Sequence, residues 1–143
     1  LVCLGGGNFT GKEVKIIKKL DLKNTVINLS VSDQELPFIY KKAICFVFPS
    51  LYEGFGIPPL EAMACGCPIA VSNVTSLPEI CKDAALYFNP LDMEEIAEKM
   101  LKVVQSNDIK KTLIHKGFNQ VKNYSWEKSA NKLLTNMKKL YKN

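Results

Sequence analysis

The segment Glu53-Gly54-Phe55-Gly56-Ile57-Pro58-Pro59-Leu60-Glu61 concentrates residue types that can handle a polar, anionic ligand. Two carboxylates stand with seven residues between them. A carboxylate accepts hydrogen bonds from two neighbouring hydroxyls, so the pair suits a sugar and a ribose on either side of a phosphate. Gly54 and Gly56 let backbone approach a ligand closely. Pro58 and Pro59 favour a helix start, because an N–H missing from a first turn costs nothing. The N–H groups of Ile57 and Leu60 then point out of the helix end, where the macrodipole adds positive potential. The anion site so formed uses no arginine; all 19 basic residues of the chain are lysine. Taken singly, Glu61 reads as a first-turn acid answering the helix dipole and Glu53 as a solvated loop acid. Their spacing, the glycines and the apolar run before them make the joint functional reading the stronger one.

Such a loop needs a strand in front of it and a helix behind it. Ile44 to Phe48 is a continuous apolar, β-rich run and reads as a strand buried on both faces. The helix continues through Leu60, Ala62, Met63 and Ala64 to Gly66, a natural terminator. The same alternation runs along the chain. Leu1 to Leu4 reads as a strand, and Thr10 with Glu13 as the capping box of a helix. Val26 to Leu29 is a strand, and Ser32 with Glu35 a second capping box, with Pro37 distorting the helix that follows. Pro68 to Ser72 and Ala85 to Phe88 are strands; Asp92 caps a helix, and another covers Ile109 to Lys122. Ser125 caps a final helix, about 125–142, whose apolar stripe from Trp126 to Tyr141 has a period near 3.6 and predicts docking of Trp126, Leu133 and Leu134 on the core. Strands separated by single helices give a doubly wound, mostly parallel α/β sheet with ligands at the carboxyl ends of its strands. A second loop, Gly5-Gly6-Gly7-Asn8-Phe9-Thr10, partly matches a dinucleotide fingerprint, but Leu29-Ser30 stands where a ribose-binding acid belongs, so it reads as a flexible turn.

Composition narrows the function classes. The 143 residues are 47% hydrophobic and 23% charged, an ordinary globular balance. No apolar run approaches the ~20 residues of a membrane span. The chain starts without Met, inside an apparent strand, which predicts the carboxy-terminal portion of a longer protein, cut within a domain. Residues 1–106 hold ten lysines against twelve acids, and residues 107–143 nine against two. A basic tail suggests nucleic acid, yet no aromatics interleave with the lysines as a stacking platform requires, so a solvated helix face is the preferred reading. Contact with an anionic membrane surface stays open. Of the five cysteines, Cys3, Cys45 and Cys65 sit in apolar surroundings. Cys65-Gly66-Cys67 lacks the spacing and partners of a zinc site, and His115 stands far from it, so no metal is expected. Free thiols suit a reducing cytosol.

The run Phe46 to Pro68, with its two glutamates, resembles the signature of the retaining glycosyltransferases of family four, of GT-B architecture. Val31 to Leu36, Ser72-Asn73, Leu77-Pro78-Glu79, Asn89-Pro90 and Tyr124-Ser125-Trp126 fit the same pattern, so the resemblance covers nearly the whole chain. It implies most of a carboxy-terminal, Rossmann-like, donor-binding domain. Glu53 would contact hydroxyls of the donor sugar, as the catalytic residue, and Glu61 the ribose. Gly54 and the N–H groups around Phe55, Gly56 and Ile57 would reach the sugar or its phosphates, and the loop near Val31 would lie by the base. The resemblance also implies sugar transfer from a UDP- or GDP-sugar with retention, usually without a metal. It further implies a glycan or lipid-linked acceptor, whose identity the sequence does not reveal. An amino-terminal acceptor domain, towards which the final helix crosses back, and an Arg and Lys on the donor diphosphate would lie upstream of Leu1. The resemblance implies that the first strand of the domain also lies upstream of Leu1, which would leave Leu1–Leu4 and Ile44–Phe48 each with an unpaired edge.

Two other functions compete with the donor half of a sugar transferase: a non-catalytic nucleotide- or sugar-binding module, and a basic interaction domain for nucleic acid or membrane. On the transferase reading, Gly56→Val is expected to harm donor binding more than stability, because the new side chain would block backbone approach to the ligand.

Overall fold

A computed structural model describes residues 1–141. They form two compact units, residues 1–38 and a second that begins at Ile39. In the first unit β1 (Val2–Leu4) and β2 (Ile27–Leu29) pair in parallel, with Val2 opposite Ile27 and Leu4 opposite Leu29. Between them lies α1 (Gly11–Lys19), opened by the expected capping box: Thr10 accepts from the Glu13 N–H, and the Glu13 carboxylate accepts from the Thr10 N–H at 2.6 Å. Gly5, Gly6 and Gly7 all have φ between 71° and 76°, a left-handed run that only glycine adopts cheaply. The Asn28 amide donates to the Gly7 carbonyl at 2.8 Å and stitches this turn to β2. At Ser32 the N–H and the hydroxyl both donate to the Glu35 carboxylate, at 2.9 and 2.7 Å. Helix α2 (Leu36–Lys42) starts only beyond Glu35.

The second unit contains β3 (Phe46–Phe48), α3 (Ile57–Ala64), β4 (Ile69–Ser72), α4 (Leu77–Cys81), a 3-10 turn (Lys82–Ala84), β5 (Ala85–Phe88), α5 (Met93–Gln105), α6 (Asn107–Val121) and α7 (Trp126–Leu140). The strand order is β3-β4-β5, all parallel, with Phe46 opposite Ile69 and Val71 opposite Tyr87. The α/β class with parallel strands is as the sequence implies. Among the described residues β1 pairs only with β2, and β3 only with β4, so each keeps one unpaired edge.

Burial corrects three expectations. The most buried strand is β4, whose four residues are all inaccessible, whereas every residue of β3 is half-buried. The cause is position: β4 is central in its ladder and β3 is at the edge. Among the thiols, Cys67 and Cys81 are the buried ones, while Cys3, Cys45 and Cys65 are intermediate. Finally, the last helix does not pack across the core. Helix α7 forms, capped by Ser125 as expected, but none of its residues is buried. Trp126, Leu133 and Leu134 are 85%, 62% and 49% exposed. Periodicity dictates that these side chains share a face; it does not supply the surface that covers that face. Lys142, expected on the polar side, lies outside the described residues.

The core of the second unit gathers Met63, Ile69, Val71, Leu77, Phe88 and Val103, all essentially inaccessible. Helices α3 and α6 meet at Gly117, where an added Cβ would stand 3.2 Å from the Met63 Cγ and 3.3 Å from its Cβ. Helix α6 begins two residues earlier than the sequence suggests, because the Ser106 hydroxyl accepts from the Ile109 N–H at 3.3 Å.

Three predictions follow from this packing. Gly117→Leu should lower stability by about 1–3 kcal/mol through overpacking against Met63, read as a fall in the urea midpoint. Burial pushes the Cys67 and Cys81 thiols up to about 12. The native state therefore holds protons that the unfolded chain releases near pH ~8.5, so stability should decline as pH rises above that value. Iodoacetamide at pH 8 should modify Cys3 in the native protein well before Cys67 or Cys81, and all five thiols in urea.

Candidate functional site

The loop from Pro49 to Gly56 leaves the carboxyl end of β3 and turns into α3. Gly56 is the N-cap of α3 with φ 99° and ψ 54°, a left-handed cap with no side chain to close the helix. An added Cβ there would stand 2.8 Å from Leu77 Cδ2, and Leu77 is wholly buried. Gly56 is thus required by backbone conformation and by packing. Gly56→Val, expected to harm donor binding more than stability, therefore carries a stability cost of its own, from the left-handed φ and from the contact with Leu77. Gly54 differs, since no atom lies within 4 Å of an added Cβ. Its open side is available to a ligand.

Three groups brace the loop. The Glu53 N–H donates to the Thr75 hydroxyl at 3.2 Å. The Ser76 hydroxyl lies 3.0 Å from the Glu53 carbonyl and 3.1 Å from the Phe55 carbonyl, both acceptors. The Phe55 ring meets Tyr124 edge-on at 5.7 Å between centroids. Tyr124 in turn donates to the Ile80 carbonyl at 3.3 Å, which also accepts from the buried Gln120 amide at 2.6 Å. At the strand end, the inaccessible Ser72 hydroxyl donates to the Phe48 carbonyl at 3.3 Å.

With its carbonyls taken up on one side, the loop leaves its amides free. Among the described residues the N–H groups of Gly54, Phe55, Gly56 and Ile57 donate to no protein acceptor. Pro58 and Pro59 have none to offer. The carboxylates of Glu53, half-buried, and Glu61, exposed on α3, form no ion pair among the described residues. Glu61 faces Tyr40, a buried phenol pushed up to about 12 by its burial first and by the Glu61 charge second. Leu60 is half-buried on α3. Together these residues offer successive N–H donors, a helix amino end and two carboxylate acceptors, a combination that takes an anion with hydroxyls on either side. Val31 lies after β2 in the other unit and is half-buried. No group of three metal-ligating side chains exists among the described residues. No described helix is long and apolar enough to cross a membrane.

Sequence reasoning did not find Thr75, Ser76 or Gln120. Ser76 precedes Leu77-Pro78 and reads as a plain helix cap, while Gln120 reads as one polar residue among many on α6. Their partners lie 21 to 40 residues away, beyond the reach of local pattern.

Comparison with known proteins places this geometry in context. The family described as glycosyl transferases group 1 matches residues 1–120. The chain is 46% identical over 97 residues to O-antigen chain mannosyltransferase B of Escherichia coli, covering 68% of this chain and 26% of that protein. It thus spans about a quarter of that relative's length. Its fold is similar to that of sucrose-phosphate synthase from Thermosynechococcus elongatus, with TM-score 0.81, 26% identity, and coverage of 99% of this chain and 38% of the other. A glycosyltransferase from Rickettsia africae has the same fold, with TM-score 0.85, 20% identity, and coverage of 99% and 40%. On the match over residues 1–120, the chain belongs to the glycosyl transferase group 1 family.

Proposed function

We propose that this chain is the donor-binding part of a transferase that moves a glycosyl group, mannosyl by analogy with its relatives, from a nucleotide-sugar to a glycan or lipid-linked acceptor, retaining anomeric configuration. The observation that carries the reading is the set of four unpartnered amides, Gly54 to Ile57, at the carboxyl end of a parallel strand and beside two carboxylates without ion pairs. In this reading Glu53 accepts hydrogen bonds from the donor sugar and Glu61 from the ribose. The loop amides take sugar or phosphate oxygens, and the segment at Val31 lies by the base. The amino end of α3 stabilises the charge that develops on the leaving diphosphate, which is electrostatic catalysis and needs no metal. Further cations on the diphosphate, and the acceptor contacts, come from the rest of the protein. The five thiols, none in a disulfide, agree with a cytoplasmic setting, and the lysine-rich end of the chain with contact at the inner membrane surface.

Isothermal titration of the intact protein with GDP, UDP and their sugar conjugates, with DNA as control, tests the reading. Binding to a nucleotide-sugar supports it, and binding to DNA alone overturns it. Turnover separates a transferase from a non-catalytic module. Glu53→Gln and Glu61→Gln should each lower transfer by about ten- to a hundredfold, the worth of a charged hydrogen bond, with unchanged melting temperature. Gly54→Ala should weaken donor binding at constant stability. Gly56→Ala should cost about 1–3 kcal/mol of stability as well, from strain at positive φ and the clash with Leu77.

A further inference from the structure

We propose that Ser76 is a positioning residue for the donor loop, and that its hydroxyl aims the N–H groups of Gly54 and Gly56 at the ligand. The inference rests on the donor-site reading above and assigns a further residue to it. The Ser76 hydroxyl reaches the carbonyls of Glu53 and Phe55, at 3.0 and 3.1 Å. No peptide bond here is cis, and in a trans peptide the N–H points opposite to the carbonyl of the preceding residue. Holding the carbonyls of residues 53 and 55 towards Ser76 therefore turns the N–H groups of Gly54 and Gly56 away from it. Neither has a protein acceptor among the described residues.

A second observation shows that the hydroxyl is committed to the loop. Ser76 is the N-cap of α4, where serine ordinarily accepts from a first-turn N–H, but here it makes no side-chain cap bond. It sits instead with φ −78° and ψ −16°, a helical conformation unlike that of an ordinary cap. The preceding Thr75 has φ 52°, a left-handed conformation uncommon for a threonine, and its hydroxyl accepts from the Glu53 N–H. The turn thus departs from ordinary backbone and capping geometry, and both hydroxyls go to the loop 21 to 23 residues earlier. A hydroxyl has one proton, so it serves two carbonyls by sharing or alternating. That keeps both peptide planes aligned and still lets the loop adjust to an arriving oxygen.

The test uses the intact transferase with GDP-mannose and UDP-glucose as probes, each titrated calorimetrically beside the thermal melt. Ser76→Ala should weaken binding of the accepted nucleotide-sugar about five- to tenfold, the worth of one hydrogen bond, with little change in melting temperature, since no cap bond is lost. Ser76→Thr, which keeps the hydroxyl, should restore affinity to near the wild-type value. Equal affinity of Ser76→Ala and wild type would overturn the positioning role while leaving the donor site intact. A collapse of the melt in Ser76→Ala, with affinity lost in proportion to unfolded protein, would overturn it in favour of a purely structural serine. If wild type binds neither these probes nor the free diphosphates, the donor-site reading falls, and this inference with it.

Discussion

The abutment of Gly56 on Leu77 governs the geometry of the candidate site. The chain leaves β3 and must enter α3 with its backbone close to buried side chains of α4, which only a residue without a Cβ allows at this separation. The left-handed φ of Gly56 then sets the direction in which α3 departs. That direction carries Glu61 on α3, Pro59 into the core and Ile57 to the helix mouth. Because the neighbour is wholly buried, it has little room to yield, and the constraint runs from the core outward to the loop.

Around that contact the loop is held by Ser76 through its carbonyls at 53 and 55 and by Thr75 through the single amide of Glu53, which leaves the amides of Gly54 to Ile57 without protein acceptors among the described residues. A loop paired through its own N–H groups would be as well ordered but would have no donors left for an anion. The hydroxyls of Thr75 and Ser76 and the ring of Tyr124 all act on positions 53 and 55. Behind them the fully buried β4 fixes Ser72 against the end of β3, so the loop's point of departure is as firmly placed as its point of arrival.

Helix α7 is the counter-example. Its cap, length and periodicity are all in order, and its apolar stripe is nevertheless exposed. Local rules produce the helix, while its burial depends on a covering surface that residues 1–141 do not provide.

What the sequence determined alone was the order of strands and helices, the capping box at Thr10, the caps at Asp92 and Ser125, and the candidate loop with its two glutamates. These are legible because caps, turns and periodicity act over three to eight residues, a range visible in a linear string. The tertiary structure decided which strand is central, which thiols are buried and where the α7 stripe faces. It also decided that Gly56 is required by packing against Leu77, and that Thr75 and Ser76 hold the loop. Each of these depends on atoms brought together from positions 21 or more residues apart, or on which edge of a ladder is occupied. Residue type limits what a side chain is able to bond, but the choice among equally suitable partners is made by proximity, and proximity is a property of the fold.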